Sequence, residues 1–290
     1  MRTTNAGHVV DTSGRFLPIF ISQIGVAATK VEAGGICLEQ HRARNVLFLP
    51  NTFAPGDIRE SRPAIQQAAK DHRRPLDLDL ECYDVDEEVP PIEGARQHVL
   101  RVMHEMEIAC IADLAKSGRV TRDALLMIDG SLQFYEDLWA HKEAFRNVVG
   151  VAKSFDLHQV LGRKGRSRTM VGAVVAELRP KHRTPARQVP HRNLTIGAWY
   201  LRLHSARSHA GLTSTDGVVK LEIFPDDPTG SKPILDANRC NRISSDVLAF
   251  RHPTTPWTDG RWASHLYPIH LTERYIKTRF RTDRTIQAYL

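Results

Sequence analysis

The stretch Ala124-Leu-Leu-Met-Ile-Asp129-Gly130-Ser131-Leu132 constrains this chain more than any other. An unbroken apolar run bounded by turn formers reads as a strand covered on both faces, and such strands sit centrally in α/β sheets. An acid at the end of a central strand emerges where strand ends line a crevice, the usual place for sites in sheets of this class. Asp129 also fits a structural role, as the cap of a helix that follows. On the residues alone both readings stand.

The neighbouring segments support an α/β arrangement. A helix is predicted from Ser131 to Phe145, and Asn147–Phe155 then reads as a second strand with Lys153 at its end. Lys153 suits either a phosphate contact or an ordinary surface position. Towards the N-terminus, Gly7–Val10 predicts a short strand ending at Asp11, Phe16–Val31 a long or bent one, and Ile36–Leu38 a third, after a turn at Gly34-Gly35. Antiparallel strands therefore open the chain. Asn45–Pro50 is a separate apolar run, and residues 50–92, rich in proline and charge, are expected to be an irregular insertion. The acidic cluster within it fits a solvated face, or an edge strand in which Leu76, Leu78 and Leu80 alternate with acids.

From Ile92 to Lys116 the period turns helical, with Leu100, Met103, Glu107, Ile111 and Leu114 on one face and Gly118 as the stop. Glu107 interrupts that apolar stripe. Burying a carboxylate without a partner is costly, so Glu107 either meets a metal or cation, or lies at the stripe's edge and reaches solvent. Further on, 195–204 and 217–224 are predicted strands, the second enclosing Glu222, and 244–250 is a short helix. Pro268 leads into a last helix that carries Glu273.

Composition narrows the class. The 290 residues are 41% hydrophobic and 25% charged, which suits a globular protein rather than a disordered or fibrous one. No apolar run reaches the length of a membrane span, and no signal-peptide core follows Met1–Asn5, so no membrane and a cytoplasmic location are expected. The four cysteines are far apart and form no zinc pattern, so buried thiols are expected. Forty Lys and Arg against 33 Asp and Glu leave a charge of +7. Nine basic residues, among them Arg163, Lys164, Arg166 and Arg168, fall between 163 and 192 against the single acid Glu177. The segment 156–193 thus reads as a phosphate-binding surface or a solubilising loop. No nucleotide-binding loop, metalloprotease motif or nucleophile elbow is present in the sequence.

Asp11, Glu107, Asp129 and Glu273 form a candidate acidic constellation, each contributed by a different element. Mg²⁺ and Mn²⁺ prefer oxygen ligands, and two such ions ~4 Å apart can activate water and stabilise a leaving oxygen in phosphodiester cleavage. Lys153 would contact the scissile strand or a carboxylate, and the basic tract would hold phosphates nearby.

In motif order these residues resemble the NurA nucleases. The resemblance rests on Val10-Asp11-Thr12-Ser13, Glu107, Asp129-Gly130-Ser131-Leu132, Val149-Gly150-Val151-Ala152-Lys153 and Tyr267-Pro268, which span nearly the whole chain. Thr12 stands where the family usually has glycine. The resemblance implies an α/β fold with a ribonuclease H-like mixed sheet flanked by helices, with residues 1–290 forming one domain. It further implies a Mn²⁺- or Mg²⁺-dependent deoxyribonuclease acting on DNA ends or single strands. It would work as a homodimer with a HerA-type hexameric translocase, in DNA repair or defence. Asp11, Glu107, Asp129 and Glu273 would hold the metals, with His265 as the alternative to Glu273 or an accessory group. Two other readings remain. One is a catalytically silent PIWI- or NurA-like module that binds nucleic acid through Lys153 and the basic tract. The other is a subunit that docks a motor protein through Trp257, Trp262, Leu266 and Tyr267.

Overall fold

The computed structural model describes every residue except 34, 53–54, 72–76, 87, 119, 121, 165–166, 192–193, 205–212, 225–235, 253–263 and 282–290. In chain order the first elements are β1 (Arg2–Val10), β2 (Phe16–Glu32), β3 (Gly35–Pro50), α1 (Pro55–Asp71), β4 (Leu78–Tyr83) and α2 (Pro91–Lys116). Next come β5 (Leu125–Asp129), two 3-10 stretches (Leu132–Phe134 and Glu136–Ala144), β6 (Asn147–Ala152), β7 (Val160–Lys164), β8 (Ser167–Met170) and α3 (Val171–Glu177). The last are β9 (Arg187–His191), β10 (Leu194–Arg202), β11 (Val218–Ile223), α4 (Ala237–Ala249) and α5 (Tyr267–Arg279). The described fold is mixed α/β with five α-helices, and no helix among the described residues is long and apolar enough to cross a membrane. The chain divides into two compact units, Met1–Cys110 with Thr272–Leu290, and Ile111–Leu271.

The first unit is built on the sheet β1-β2-β3-β4. The first three strands form the expected antiparallel meander, and β4 joins β3 in parallel. The runs Ile36–Leu38 and Asn45–Pro50, expected as separate strands, are the two ends of one 16-residue strand, because β2 is long enough to pair along almost all of it. Alternation along β2 and β3 sends Phe20, Ile24, Val46 and Phe48 to one face, where Ala95, Val99, Val102, Met106 and Cys110 of α2 cover them. The opposite face carries Ile21 and Leu47, packed with Ile65 and Ala69 of α1 and Leu78 of β4.

Two expectations are corrected here. Residues 50–92 are not irregular, since they hold α1 and β4. Pro55 opens α1, where a proline loses no intrahelical bond, and the four-residue step from Ile65 to Ala69 gives the helix its buried contact. β4 is an edge strand in which Leu78 and Leu80 are buried between acids, while Leu76 lies outside the described residues. In α2 the core-facing stripe runs through 95, 99, 102, 106 and 110, leaving Leu100 41% exposed. Glu107 is therefore beside the stripe rather than within it.

The second unit contains the sheet β5-β6-β11-β10-β9, with β5 parallel to β6 and the other neighbours antiparallel. One face bears Val149, Val151, Trp199, Leu201 and Leu221 against Cys240, Ile243 and Val247 of α4. The other bears Tyr200 and Val218 against Val171 and Val175 of α3. The central place expected for β5 is not the one it takes: the strand lies at the edge, and its first three residues are only half-buried. Its apolar run is accounted for by Leu125 and Met127, which pack on the α4-side core. The helix expected over 131–145 is a pair of 3-10 stretches. Leu132, Tyr135 and Leu138 are buried at three-residue spacing, the period of that tighter helix. The short helix expected at 244–250 begins earlier, at Ala237, where the Asp236 side chain caps Asn238 N–H. The segment 156–193 contains β7, β8, α3 and β9.

Within the first unit α5 comes close to β2 at Gly25. A Cβ there would lie 2.7 Å from Ile276 Cγ2 and 3.0 Å from the Phe280 ring. Gly25→Val is expected to destabilise the protein by about 1–3 kcal/mol through overpacking, whereas Gly162→Val, at an exposed position with no crowding neighbour and no left-handed backbone, should cost less. Chemical denaturation of the two variants measures the difference.

Candidate functional site

The Asp-Gly-Ser-Leu segment forms a turn whose every residue has a physical task. Gly130 adopts φ +144°, a conformation that side chains disfavour, and its N–H donates to Val151 O at 3.1 Å. The turn crosses β6 above Gly150. A Cβ at Gly150 would meet Gly130 O and Leu132 Cγ, each at 2.9 Å. Ser131 caps the first 3-10 stretch by accepting from Gln133 N–H, and Leu132 is buried.

A carboxylate from β11 secures this turn. Glu222 is fully buried, and its Oε2 accepts from Ser131 Oγ and from Leu132 N–H, both at 2.7 Å. Its Oε1 lies 2.5 Å from the ammonium of Lys220, two residues back on the same face of the strand. The register sets Glu222 opposite Gly150, and the missing side chain there leaves room for the turn to reach the carboxylate. Burial, with Glu222 nearby, pushes the Tyr200 hydroxyl up to about 12.

Asp129 stands immediately before the turn, at the carboxyl end of β5 and opposite Val151. Lys153 follows the carboxyl end of β6, and its ammonium lies 2.9 and 3.0 Å from the two Asp129 oxygens. The Asp129 side chain is 39% exposed and that of Lys153 21%, so the pair is accessible to a ligand from solvent. Asp129 and Glu222 are offset by one position in the register and so leave the sheet from opposite faces. The acid offered to solvent and the acid that fixes its turn are separate residues.

The other expected site residues have local partners. Asp11, in the β1–β2 turn, accepts from the N–H groups of Ser13 and Arg15, from Ser13 Oγ at 2.6 Å and from Arg15 Nε at 2.8 Å. The Ser13 and Arg15 hydrogen bonds hold its carboxyl well below the usual carboxylate range. Glu107 is half-exposed on α2, 3.2 Å from His104 Nδ1. Glu273 on α5 lies 3.7 Å from Lys277. In the first unit Glu107 and Glu273 both act electrostatically on the Met1 amino group, so their fields overlap.

In the second unit His265 joins a group of imidazoles, with ring centroids 6.4 Å from His265 to His270 and 5.3 Å from His252 to His270. That group offers nitrogen donors, which suit transition ions better than Mg²⁺. Of the basic tract, Arg163 faces Arg168 and Lys164 faces Ser167 in the β7–β8 hairpin, and Arg168 is exposed. Arg166 lies outside the described residues, as do Trp257 and Trp262. Leu266 is fully buried and Tyr267 is 42% exposed.

Compared with known protein families and with curated proteins, the chain matches none of them. The local geometry is therefore what speaks for a site, and it adds three residues to those expected: Gly150, Lys220 and Glu222. Two charges two residues apart inside the apolar strand Val218–Ile223 carried the signal for the last two, since they must share one buried face.

Glu222→Ala would leave the Lys220 ammonium buried beside an empty space. It is expected to destabilise the protein by about 3–5 kcal/mol, the range for breaking a buried pair from one side; urea unfolding tests this, with a smaller loss expected for Glu222→Gln. The Asp11 turn has its own signature in acid. A depressed carboxyl contributes its full stability above its unfolded pKa, and that contribution declines progressively as pH falls from the ordinary carboxylate range towards the depressed folded value. Comparing acid unfolding of the wild type with Asp11→Asn checks the sign: the stability gap should close only in strong acid.

Proposed function

We propose that this chain is a NurA-like, metal-dependent deoxyribonuclease with a ribonuclease H-like sheet, acting on DNA ends or single strands. The observation that carries the reading is the Asp129 carboxylate, part-exposed at the carboxyl end of β5 with the Lys153 ammonium 2.9 Å away at the end of its parallel neighbour. Sites in α/β sheets form at that end of the strands. Mn²⁺ or Mg²⁺, when bound as a pair, would supply an activated water and stabilise the leaving oxygen.

Asp129 fits such an ion, because its oxygens are hard donors and reachable from solvent. The resemblance to the NurA nucleases implies Glu107 and Glu273 as the further ligands, with His265 as the alternative to Glu273. Asp11 would have to surrender its Ser13 and Arg15 donors to join them. Lys153 orients the Asp129 carboxylate at rest, and its ammonium stands ready to take a phosphate oxygen of the substrate. Arg163, Lys164, Arg166 and Arg168 contribute the field that holds DNA nearby. Residues 1–290 act as one nuclease domain in the cytoplasm, as a homodimer working with a HerA-type hexameric translocase in DNA end processing or defence.

A second reading is favoured by the same ion pair. Lys153 already neutralises Asp129, and the Asp11 carboxylate is filled by its own turn, as suits a catalytically silent module that binds nucleic acid. Digestion of end-labelled single- and double-stranded DNA with Mn²⁺, Mg²⁺ or EDTA separates the two. The nuclease reading expects metal-dependent cleavage that falls by about 100-fold or more in Asp129→Asn, on the scale of losing one preorganised electrostatic group, with binding retained. Salt-sensitive binding without cleavage under every condition, translocase included, leaves the silent module.

A further inference from the structure

At the opposite end of β6 from Asp129 and Lys153 lies a concave surface with a volume of about 450 Å³. It is lined by Arg146, Asn147, Arg239, Arg242, Ile243 and Asp246. The first two precede and open β6, and the other four fall on one face of α4 at steps of three, one and three residues. β6 spans six residues, roughly 20 Å at the rise of a strand, so this surface is separate from the Asp129 site.

Three guanidiniums and one carboxylate line it. Asp246 is engaged by Arg146, with Nη2 to Oδ2 at 2.7 Å, which uses one of the five donors on that guanidinium and fixes its direction. Arg239 is held through Nε by Asn147 Oδ1, also at 2.7 Å, an interaction that orients the fork without cancelling its charge. Arg242 is exposed at the rim. Two oriented arginine forks and a third, exposed one around a concavity match a tetrahedral dianion, because guanidinium donors pair bidentately with phosphoryl oxygens. The volume falls within the range of small-molecule pockets and exceeds what a bare phosphate needs, which leaves room for an attached organic group.

We propose that the Arg146–Arg239–Arg242 surface is a binding site for a phosphoryl group carried by a larger molecule, and that it works independently of the Asp129 site. The phosphate sits among the guanidinium forks, and the group it esterifies occupies the rest of the concavity. Asp246 keeps Arg146 extended until the ligand arrives.

Calorimetric titration of the full chain tests this with two probes: phenyl phosphate, and a single-stranded oligonucleotide lacking terminal phosphates. Phenyl phosphate is expected to bind, with a tenfold or greater loss in Arg242→Ala, little recovery in Arg242→Lys, which lacks the fork, and no such loss in Asp129→Asn. If instead only oligonucleotide binding falls in Arg242→Ala, the phosphoryl chemistry stands and its source is a nucleic-acid backbone. Arg242 has an exposed side chain, so its loss is not expected to unfold the chain, and thermal unfolding of each variant verifies this. Absence of binding by both probes, or binding indifferent to both Arg242→Ala and Arg146→Ala in folded variants, overturns the proposal.

Discussion

A buried carboxylate at the centre of a sheet governs the local architecture around Asp129. Glu222 has no access to water, and an isolated charge in such a position would cost several kcal/mol even after relaxation. What offsets that cost is specific: a serine hydroxyl, a backbone N–H and an ammonium, all within 2.7 Å. Two of those partners belong to the segment directly after Asp129. Satisfying Glu222 therefore requires the chain to turn at Gly130 and pass over Gly150 to place Ser131 and Leu132 within reach. The direction in which Asp129 leaves the sheet follows from that route.

The parallel pair β5–β6 then gives the second unit two chemically different ends. At the carboxyl ends stands an acid with one lysine, and beside the amino end of β6 stand three arginines with one aspartate. The difference arises from what covers each end. Helix α4 buries Cys240, Ile243 and Val247 in the core, and this same rotation turns Arg239, Arg242 and Asp246 towards the start of β6. The packing of a single amphipathic helix thus sets both the apolar core and the positive surface beside it.

Much of this architecture is legible in the residues, and the misses have physical causes. Strands β2, β6, β10 and β11 and helix α2 announce themselves because long stretches of one period leave few alternatives. The location of Asp129 at a strand end and of Lys153 after the next strand follows from apolar runs that stop at a charge. The covering of β5 cannot be read, because a short apolar run looks the same whether a second strand or only a helix lies beside it. Helix α1 is hidden by Pro55 and Pro63 within a charged segment, although a proline at a helix start is no obstacle. The α2 stripe is misread at Leu100 and Glu107, because Leu100 and Val99 are equally apolar and only the facing strands decide between them, while Met103, Ile111 and Leu114 do turn inward. The role of Glu222 requires knowing that β11 pairs with β6, a long-range fact that no local pattern carries.

The Asp129–Lys153 pair bears on both functional readings, and its exposure decides how. An ion pair with 39% and 21% of its side chains open to solvent is worth about 0–1 kcal/mol, since water competes for both charges. A divalent cation approaching the carboxylate, or a phosphate approaching the ammonium, therefore displaces little. Asp11 is in the opposite state: four donors fill its oxygens, and their hydrogen bonds favour the charged form so strongly that its carboxyl is depressed. A ligand taking Asp11 must dismantle a turn, whereas one taking Asp129 competes with an ammonium that solvent already reaches. Of the two acids, Asp11 is tied by its hydrogen bonds to its own hairpin, and Asp129 is the one that stands part-open to solvent beside a cation.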